Sequence, residues 1–249
     1  STPIKSSAAS DVYKRQGGFP RAIQIDSPSD KRTYVKGIID EIFKKDIKRR
    51  VKIKDVQSFE LVRNYIINNF GATTSINSLH EALLKNGMAI SRATVTRYIK
   101  TLVDAKILYE CKRFDMKSKK TLSGEQKYYV ADLSFYYAMN TDNRINYGPT
   151  LENIVYLYAR SLDYAVSVGR IGKLECDFIL RDVNMDYSYV QVAYKILQSK
   201  DTEDREYRQL ESIRDNYKKY VMTTDYILQK RNGILHVNLM DFIGGGKRF

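Results

Sequence analysis

Two short stretches decide the fold of the second half of the chain. They are Leu174-Glu175-Cys176-Asp177-Phe178-Ile179-Leu180 and Tyr189-Val190-Gln191-Val192-Ala193-Tyr194, both largely apolar runs of strand length. Between them, Asn184-Met185-Asp186 predicts a hairpin turn. Asp177 places a carboxylate inside a strand that otherwise favours burial, and a buried charge is costly unless it has a partner. The strand pair therefore indicates a functional site at Asp177.

The elements predicted around these strands form a mixed domain over residues 148–243. In order they are Pro149–Ser161 (helix), Tyr164–Gly169, Leu174–Arg181 and Tyr187–Tyr194 (strands), Asp201–Tyr217 (helix), Lys219–Thr223 and Ile234–Asn238 (strands), followed by a terminal helix. Glu152 lies in the first helix and Gln191 in the third strand. With Asp177, this layout resembles the PD-(D/E)XK nuclease superfamily. The resemblance implies an α/β nuclease-like domain with a metal ion held by Asp177 and Glu152.

The resemblance also implies an acidic-x-Lys triplet beside Asp177, but here the triplet is Gln191-Val192-Ala193. In such sites, carboxylates hold a hard divalent cation and the lysine acts on the attacking water. Gln191 carries no charge and Ala193 has no ammonium, and losing such a group costs roughly a hundred- to ten-thousandfold in rate. We therefore expect a degenerate site of Glu152, Asp177 and Gln191, without catalytic activity and without a cofactor in this chain.

Lys195 leaves an alternative open. It lies two residues beyond Ala193, and side chains two residues apart share one face of a strand. A lysine at this position could complete the site. The chain would then be an active metal-dependent DNA endonuclease that uses Mg²⁺, with Lys195 as its catalytic lysine.

Residues 58–147 predict a winged-helix domain. Three helices, Ser58–Phe70, one from about Ile76 to Asn86, and one from Ser91, precede two strands at Ile107–Met116 and Gln126–Ala131. In a winged helix, the third helix enters the major groove and the wing follows the DNA backbone. The DNA-binding residues expected from this geometry are Arg92, Thr94, Arg97 and Lys100 on the helix and Lys117, Lys119 and Lys120 at the wing tip.

Charge supports a polyanionic partner for the first half of the chain. The whole chain carries a formal net charge of +13, and residues 17–150 hold 24 Lys and Arg against 14 Asp and Glu, whereas residues 151–249 hold 15 against 14. A basic region favours nucleic acid. Two alternatives remain open, because winged helices also dock proteins and a lysine-rich hairpin tip can simply be solvated. We expect DNA as a partner, with a protein partner or self-association as further options.

The chain ends need separate treatment. Asp11-Val12-Tyr13-Lys14-Arg15-Gln16 matches the in-frame translation of a common transposase-based sequencing adapter. We therefore expect residues 1–16 to be a non-native leader and exclude them from fold reasoning. Residues 17–57 predict a helical, lid-like segment, and residues 244–249 predict a tail.

Several stretches together resemble the C-terminal half of a widespread family of bacterial and archaeal AAA-type ATPases. They are Gly17-Gly18-Phe19-Pro20, Lys45-Asp46-Ile47, the winged helix, Leu151–Tyr156, Glu175–Phe178 and Tyr189–Tyr194, so the resemblance covers nearly all of residues 17–243. It implies an upstream ATPase domain with a phosphate loop, which this sequence lacks. We therefore expect an N-terminally truncated fragment that acts as a DNA-binding and partner-docking region, with ATP bound only by the missing domain.

Composition limits the location and the fold class. No apolar run approaches the roughly 18 residues of a membrane span, and no signal-peptide pattern is present. Cys111 and Cys176 lie in strand-like segments, which is typical of buried, reduced thiols in a cytoplasmic protein. The sequence as a whole predicts a mixed α+β chain: a helical segment and a winged helix, followed by an α/β PD-(D/E)XK nuclease-like domain.

Overall fold

The computed structural model describes residues 19–47, 53, 55–122, 124–139, 146–172 and 174–249. The fold is mixed α+β, as predicted. The described residues divide into two compact units. The first unit contains the described residues up to Glu110 and residues 128–139, and the second contains Cys111–Lys127 and Asn146–Phe249. The predicted leader lies outside the described residues. No helix in the described part is long and apolar enough to cross a membrane.

The helices are α1 (Pro20–Ile23), α2 (Pro28–Ile42, continued by a π-helical turn Phe43–Ile47), α3 (Val56–Asn68), α4 (Ile76–Lys85), α5 (Arg92–Asp104), α6 (Leu133–Met139), α7 (Tyr147–Ser161), α8 (Lys200–Glu211) and α9 (Leu239–Gly244). Four helices of the first unit follow a residue whose side chain accepts a hydrogen bond from the backbone N–H three residues later in the chain. Such a cap stabilises the start of a helix. These caps are Ser27, Asp55, Ser75 and Ser91.

The strands are β1 (Thr73–Thr74), β2 (Leu108–Cys111), β3 (Arg113–Asp115), β4 (Lys120–Thr121), β5 (Gln126–Val130), β6 (Ala165–Ile171), β7 (Leu174–Arg181), β8 (Tyr187–Val192), β9 (Lys218–Thr223), β10 (Lys230–Arg231) and β11 (Ile234–Asn238). They form a three-stranded sheet of order β1-β5-β2 and an eight-stranded sheet of order β10-β11-β9-β8-β7-β6-β3-β4. Strands β6, β7 and β8 are antiparallel neighbours, and β9 runs parallel to β8.

The hairpin expected to form the wing differs from its prediction. The single strand predicted at Ile107–Met116 divides at Lys112 into β2 and β3, and these two strands enter different sheets. Strand β3 pairs in parallel with β6, and the backbone N–H of Met116 donates to the carbonyl of Arg170 at 2.9 Å. The outer part of the hairpin is therefore the edge of the large sheet, because β6 supplies hydrogen bonds that a free-standing wing would lack.

The core of the second unit packs between the large sheet and helix α8. Its buried members are Cys176, Ile179, Tyr189, Ile196, Tyr207, Leu210, Ile213, Val221 and Ile234. Helix α8 ends at Glu211 and not at the predicted Tyr217. The residues that follow turn so that the Asp215 carboxylate accepts hydrogen bonds from the Tyr189 hydroxyl at 2.6 Å and from the Lys219 ammonium at 3.1 Å. These hydrogen bonds hold Asp215 outside the helix, although the sequence pattern predicts a helix as far as Tyr217.

The last residue also belongs to this unit's interior. Residues 244–249 are predicted as a tail, yet Phe249 is buried. Its ring packs edge-on against Tyr164, with ring centroids 5.6 Å apart, and lies 5.1 Å from the ring of Phe242. The chain end therefore contributes apolar burial to the second unit.

Gly169 in β6 gives a direct test of how tightly β6 and β7 pack. A Cβ added there would lie 2.8 Å from Cγ1 of buried Ile179 and 3.2 Å from Cβ of Cys176. We expect Gly169→Ala to lower the free energy of unfolding by about 1–3 kcal/mol, the usual cost of overpacking a filled core. Urea denaturation measures this change.

Gly148 in α7 is the matched control, because a Cβ there meets nothing within 4 Å. Gly148→Ala should change the free energy of unfolding by less than about 0.5 kcal/mol or raise it slightly. Equal effects of the two substitutions would contradict the close approach of β6 to β7.

Candidate functional site

The candidate site of the second unit is organised around a lysine in β5. The Nζ of Lys127 lies 3.2 Å from Oε2 of Glu152, 3.3 Å from Oε1 of Glu175 and 3.9 Å from Oδ1 of Asp177. Helix α7 supplies Glu152, and β7 supplies the other two carboxylates. One ammonium thus joins three carboxylates from two elements.

Burial makes this arrangement energetically demanding. Lys127 is 6% exposed and Asp177 is 7% exposed, so both exchange water for protein surroundings. Burial by itself favours the neutral amine of Lys127, but the charges of Glu152, Asp177 and Glu175 outweigh it and raise the pKa of the lysine. Lys127 is therefore a permanent cation at neutral pH, held by the carboxylates around it.

A hydrogen-bonded chain fixes the other side of Asp177. Its Oδ2 accepts from the backbone N–H of Val192 at 2.8 Å, and its own backbone N–H donates to Oε1 of Gln191 at 3.3 Å. The amide of Gln191 in turn donates to Oε2 of Glu206 in α8 at 3.0 Å. Both functional ends of the Gln191 amide are thus engaged within the protein.

A second cation supports Glu175 from the edge of the large sheet. Arg113 in β3 donates through Nη2 to Oε2 of Glu175 at 3.0 Å and through Nη1 to Oε2 of Glu125 at 2.9 Å. The Arg113 Nε is buried without a hydrogen-bond partner among the described residues. The two oxygens of Glu175 therefore face different cations, Lys127 on one side and Arg113 on the other.

The predicted residues Glu152, Asp177 and Gln191 are brought together, but Lys195 is not. Its side chain is exposed, and its Nζ lies 5.5 Å from the ring centroid of Tyr194. Within the described chain, Lys195 forms no ion pair with the site carboxylates. Strand β8 ends at Val192, so the period-two alternation that predicted a shared face stops before this lysine is reached.

The carboxylates resemble ligands of a hard cation, since such ions prefer oxygen donors. In this arrangement, however, the oxygens of Glu152, Glu175 and Asp177 face the ammonium of Lys127. No group of three or more His, Cys, Asp or Glu side chains within the described ranges is placed to hold a metal ion. As arranged, these residues do not fit a metal, and the metal role of Asp177 and Glu152 stays a prediction.

Sequence reasoning missed four residues of the site: Lys127, Glu175, Glu206 and Arg113. Two of them left a signal. Lys127 is the one charged residue in the run Gln126-Lys127-Tyr128-Tyr129-Val130, and Glu175 lies two residues before Asp177 in the same strand. Glu206 belongs to a helix rich in charged residues, where nothing local distinguishes a buried glutamate from a solvated one.

The first unit holds the predicted DNA-contacting helix α5. Of its four predicted residues, Thr94 is engaged at the helix start, where its hydroxyl lies 3.0 Å from that of Ser91. Arg92 donates to Asn77 at 2.9 Å, and Lys100 pairs with Asp104 at 2.9 Å. Arg97 is exposed, and its guanidinium contacts only the ring of Tyr98, 5.7 Å away, within the described chain.

The predicted wing-tip lysines belong to the second unit. Lys117, Lys119 and Lys120 are all exposed. The ammonium of Lys119 lies 5.7 Å from the ring centroid of Tyr187 at the start of β8. The tip is therefore a basic, solvent-facing turn at the edge of the large sheet, and its role in DNA binding stays a prediction.

Titration of Asp177 tests the excess of negative charge at the site. Burial and the neighbouring Glu152 raise the pKa of Asp177 well above its ordinary 3.8, despite opposing contributions from Lys127 and the Val192 N–H. An acid with a raised folded-state pKa contributes stability that is complete below the unfolded value, near 3.8, and is lost as pH rises toward the folded value. Asp177→Asn removes this titration and retains an oxygen for the Val192 N–H.

We expect the free energy of unfolding of the unmodified chain to fall, relative to Asp177→Asn, as pH rises from about 4 to 7, with a slope of at most about 1.4 kcal/mol per pH unit. Urea denaturation at each pH measures the difference. Asp186→Asn, at an exposed position of the β7–β8 hairpin, is the control and should run parallel to the unmodified chain. A curve for Asp177→Asn parallel to that of the unmodified chain would show that the pKa of Asp177 is not raised in the folded state.

The chain is similar to proteins of two other organisms and matches a family model. It is 31% identical over 232 residues to an "Uncharacterized protein" of Haemophilus influenzae, covering 93% of this chain and 56% of that protein. It is 28% identical over 184 residues to "Uncharacterized protein MJ1544" of Methanocaldococcus jannaschii, covering 72% of this chain and 40% of that protein. The chain thus spans about half the length of these relatives, and no solved structure matches it. Residues 10–145 match the family described as "Domain of unknown function (DUF8612)", and the chain belongs to that family.

Proposed function

We propose that this chain is a DNA-binding region in which helices α3, α4 and α5, with strands β2 and β5, form a winged helix, and that its nuclease-like unit does not cleave DNA. The observation that carries the DNA-binding proposal is the exposed side of α5. There, Arg97 presents a guanidinium that no carboxylate of the described chain neutralises, on a helix whose opposite side is buried through Val95, Tyr98, Ile99 and Leu102.

Helix α5 also has the local features that DNA contact requires. Its N-terminus is capped by Ser91, so the first turn is fixed, and Arg92 is exposed beside Asn77. Arginine suits phosphate and guanine because its donors form a planar fork. The excess of basic residues between 17 and 150 supports binding through the phosphate backbone, which gives affinity with little sequence preference.

The inactivity of the nuclease-like unit is proposed from the contacts of Lys127. Its ammonium already lies beside the oxygens of Glu152, Glu175 and Asp177, the groups that would hold a divalent cation, and the Gln191 amide is hydrogen-bonded at both ends. Ala193 offers no proton or charge. The competing proposal is a DNA endonuclease in which Lys127, and not Lys195, acts as the lysine. The same contact favours it, since it places an ammonium beside the predicted carboxylates.

For the whole protein, we propose a place beside an ATPase domain, as a DNA-binding and partner-docking region of a longer chain. The resemblance of residues 17–243 to AAA-type ATPases supports this, and so does the greater length of the relatives. ATP would be bound by the other domain. The cytoplasmic location stays a prediction of the same kind.

The first test concerns Arg97. We expect Arg97→Ala to weaken binding to duplex DNA of any sequence and to lower the slope of log K against log salt by about one unit, because one phosphate contact is lost. Fluorescence anisotropy with two unrelated duplexes over a series of salt concentrations measures both quantities.

Lys36→Ala is the matched control for Arg97, since Lys36 is exposed on α2 in the same unit and its loss changes the net charge equally. It should leave the slope unchanged. Equal slopes for the two variants would mean that α5 makes no specific phosphate contact. A drop confined to a variant with Lys117, Lys119 and Lys120 all changed to Gln would move the proposed DNA contact to the hairpin tip.

The second test concerns cleavage. We expect the unmodified chain to cut neither plasmid nor single-stranded DNA with Mg²⁺ or Mn²⁺ above the level of Asp177→Ala, because Lys127 occupies the carboxylates and Ala193 supplies no ammonium. Gel assays with both metals measure this. Cleavage that disappears in Asp177→Ala and Lys127→Met but survives in Lys195→Met would establish the endonuclease proposal, with Lys127 as its lysine.

A further inference from the structure

We propose that the second unit carries a binding surface for single-stranded DNA, on which a base stacks on Tyr217 while lysines of the β3–β4 turn contact the phosphates. The members of this tyrosine surface are Tyr187, Tyr217, Lys117, Lys119, Lys120 and Arg181, all in the second unit. The proposal goes beyond the contact of α5, which concerns duplex DNA and residues of the first unit. Only the choice of DNA over RNA rests on the proposed function.

A row of tyrosine rings leads from the core of the second unit to its surface. Tyr189 is 1% exposed, and its ring is parallel to that of Tyr187, with the two centroids 6.5 Å apart. Tyr187 is half-buried, and its ring meets that of Tyr217 edge to face, with centroids 5.4 Å apart. Tyr217 is 39% exposed. The outermost ring is therefore supported by the rings behind it and is still accessible to a ligand.

The backbone fixes the position of Tyr217. Ser188 pairs with Lys218 in the parallel ladder of β8 and β9, so Tyr187 and Tyr217, one residue earlier in each segment, are neighbours. The backbone N–H of Tyr217 also donates to Oδ1 of Asp215 at 3.2 Å. A side chain that is ordered before a ligand arrives loses less conformational entropy on binding. Tyr217 is therefore prepared for stacking by the sheet beside it.

Cations lie around these rings. Lys117, Lys119 and Lys120 are exposed at the β3–β4 turn, and none of them pairs with a carboxylate within the described chain. The ammonium of Lys119 lies 5.7 Å from the ring centroid of Tyr187. Arg181 is exposed, has no described carboxylate partner either, and lies directly opposite Tyr187 in the β7–β8 ladder, so both side chains share one face of the sheet. Positive charge and aromatic surface thus occupy one region.

The turn that carries the lysines has a defined conformation. Asp115 accepts hydrogen bonds from the backbone N–H of Ser118 at its Oδ2, at 3.0 Å, and from that of Lys119 at its carbonyl, at 2.9 Å. The Asp115 carboxylate is thus bound inside the turn. Among residues 115–120, 181–187 and 215–218, all of which the structure describes, Asp186 is the only acidic residue that is exposed. The tyrosine surface is therefore positive.

Single-stranded DNA is the ligand that uses both the charge and the ring. Its phosphates are negative, and its bases have free faces that stack on aromatic side chains, whereas the bases of a duplex already stack on one another. An acidic peptide would engage the lysines without requiring the ring of Tyr217. The surface also differs from the predicted nuclease site, because Tyr187 begins β8 and Gln191 lies roughly 13 Å farther along the strand.

The experiment measures binding of the full chain to a fluorescent oligothymidylate of about 10 nucleotides, a length typical of such binding surfaces. We expect the unmodified chain to bind it and Tyr217→Leu, which keeps an apolar side chain but loses the ring, to bind about 5- to 100-fold more weakly, the effect of one stacked base. Tyr217→Phe should bind like the unmodified chain. Lys119→Gln should lower the slope of log K against log salt by about 0.7 units, the value for one phosphate of a single strand.

Two matched variants control for the loss of a ring and of a charge. Tyr226→Leu removes a tyrosine that is 71% exposed in the loop between β9 and β10. Lys218→Gln removes an exposed charge on the other face of the sheet, because Lys218 pairs with Ser188 and neighbouring residues of a strand point to opposite faces. Both variants should retain the affinity and the salt slope of the unmodified chain.

A cross-link tests stacking directly in the unmodified chain. Irradiation of its complex with an oligonucleotide that contains iodouracil should join the base to Tyr217, and mass spectrometry of the digested chain identifies the peptide. This measurement does not require that Tyr217→Leu folds.

Four results would overturn the proposal. They are equal affinity of a folded Tyr217→Leu and the unmodified chain, equal losses in the two control variants, a cross-link that does not involve Tyr217, and tighter binding of an oligouridylate of the same length, which would replace DNA by RNA. Failure of α5 to bind would appear as equal duplex affinities of Arg97→Ala and the unmodified chain. It would leave the single-strand measurements unchanged, so the two proposals fail separately.

Discussion

The pairing of the Lys127 ammonium with carboxylates of α7 and β7 is the constraint on which the second unit depends. A buried lysine requires neutralisation, and only side chains that meet from separate elements provide it here. Within the second unit, Nζ of Lys127 donates to Oε2 of Glu152 in α7 at 3.2 Å. Arg113 on β3 adds a second cation behind Glu175. Strand β3 begins after the break of the hairpin at Lys112 and belongs to the large sheet. Its place in that sheet brings Arg113 to Glu175.

Much of the fold could be predicted from local pattern. The run at Leu174–Arg181 has the bounds expected from its apolar residues, and Ser91 caps α5 as its spacing indicated. Such signals are local: a cap stabilises the first turn of its own helix, and the alternation of apolar and polar residues defines the two faces of its own strand. The mixed fold class follows from the order of these elements. The predictions are wrong where a contact between distant residues determines the structure. The end of α8 is an example, because Asp215 accepts a hydrogen bond from Tyr189 and does not continue the helix.

The centre of the candidate site could not be predicted in the same way. The resemblance to a nuclease family predicts Glu152, Asp177 and Gln191 as site residues, and it predicts the lysine near Ala193. The lysine that the structure supplies lies 25 residues before Glu152 in the chain, in a strand assigned to another predicted domain. Side-chain alternation shows that a strand has two faces, but it does not show which distant residues meet on one of them. Lys195 is close to Ala193 in the sequence, whereas Lys127 is close to the site carboxylates in space.

A buried cluster of this kind is poor evidence for stability alone. Removing charged groups from water costs more than their attraction usually returns, and apolar residues of similar volume often stabilise a fold as well or better. Burial and the neighbouring Glu152 also raise the pKa of Asp177, so the charged form of this carboxyl group is costly here. An uncharged side chain in place of one carboxylate would relieve that cost without loss of packing. The presence of this carboxyl group beside a permanently charged lysine fits a binding site better than an arrangement that only packs the core. The charge cluster and the exposed Arg97 of α5 therefore carry separate information: the first concerns what the second unit can bind, and the second concerns what the first unit can contact.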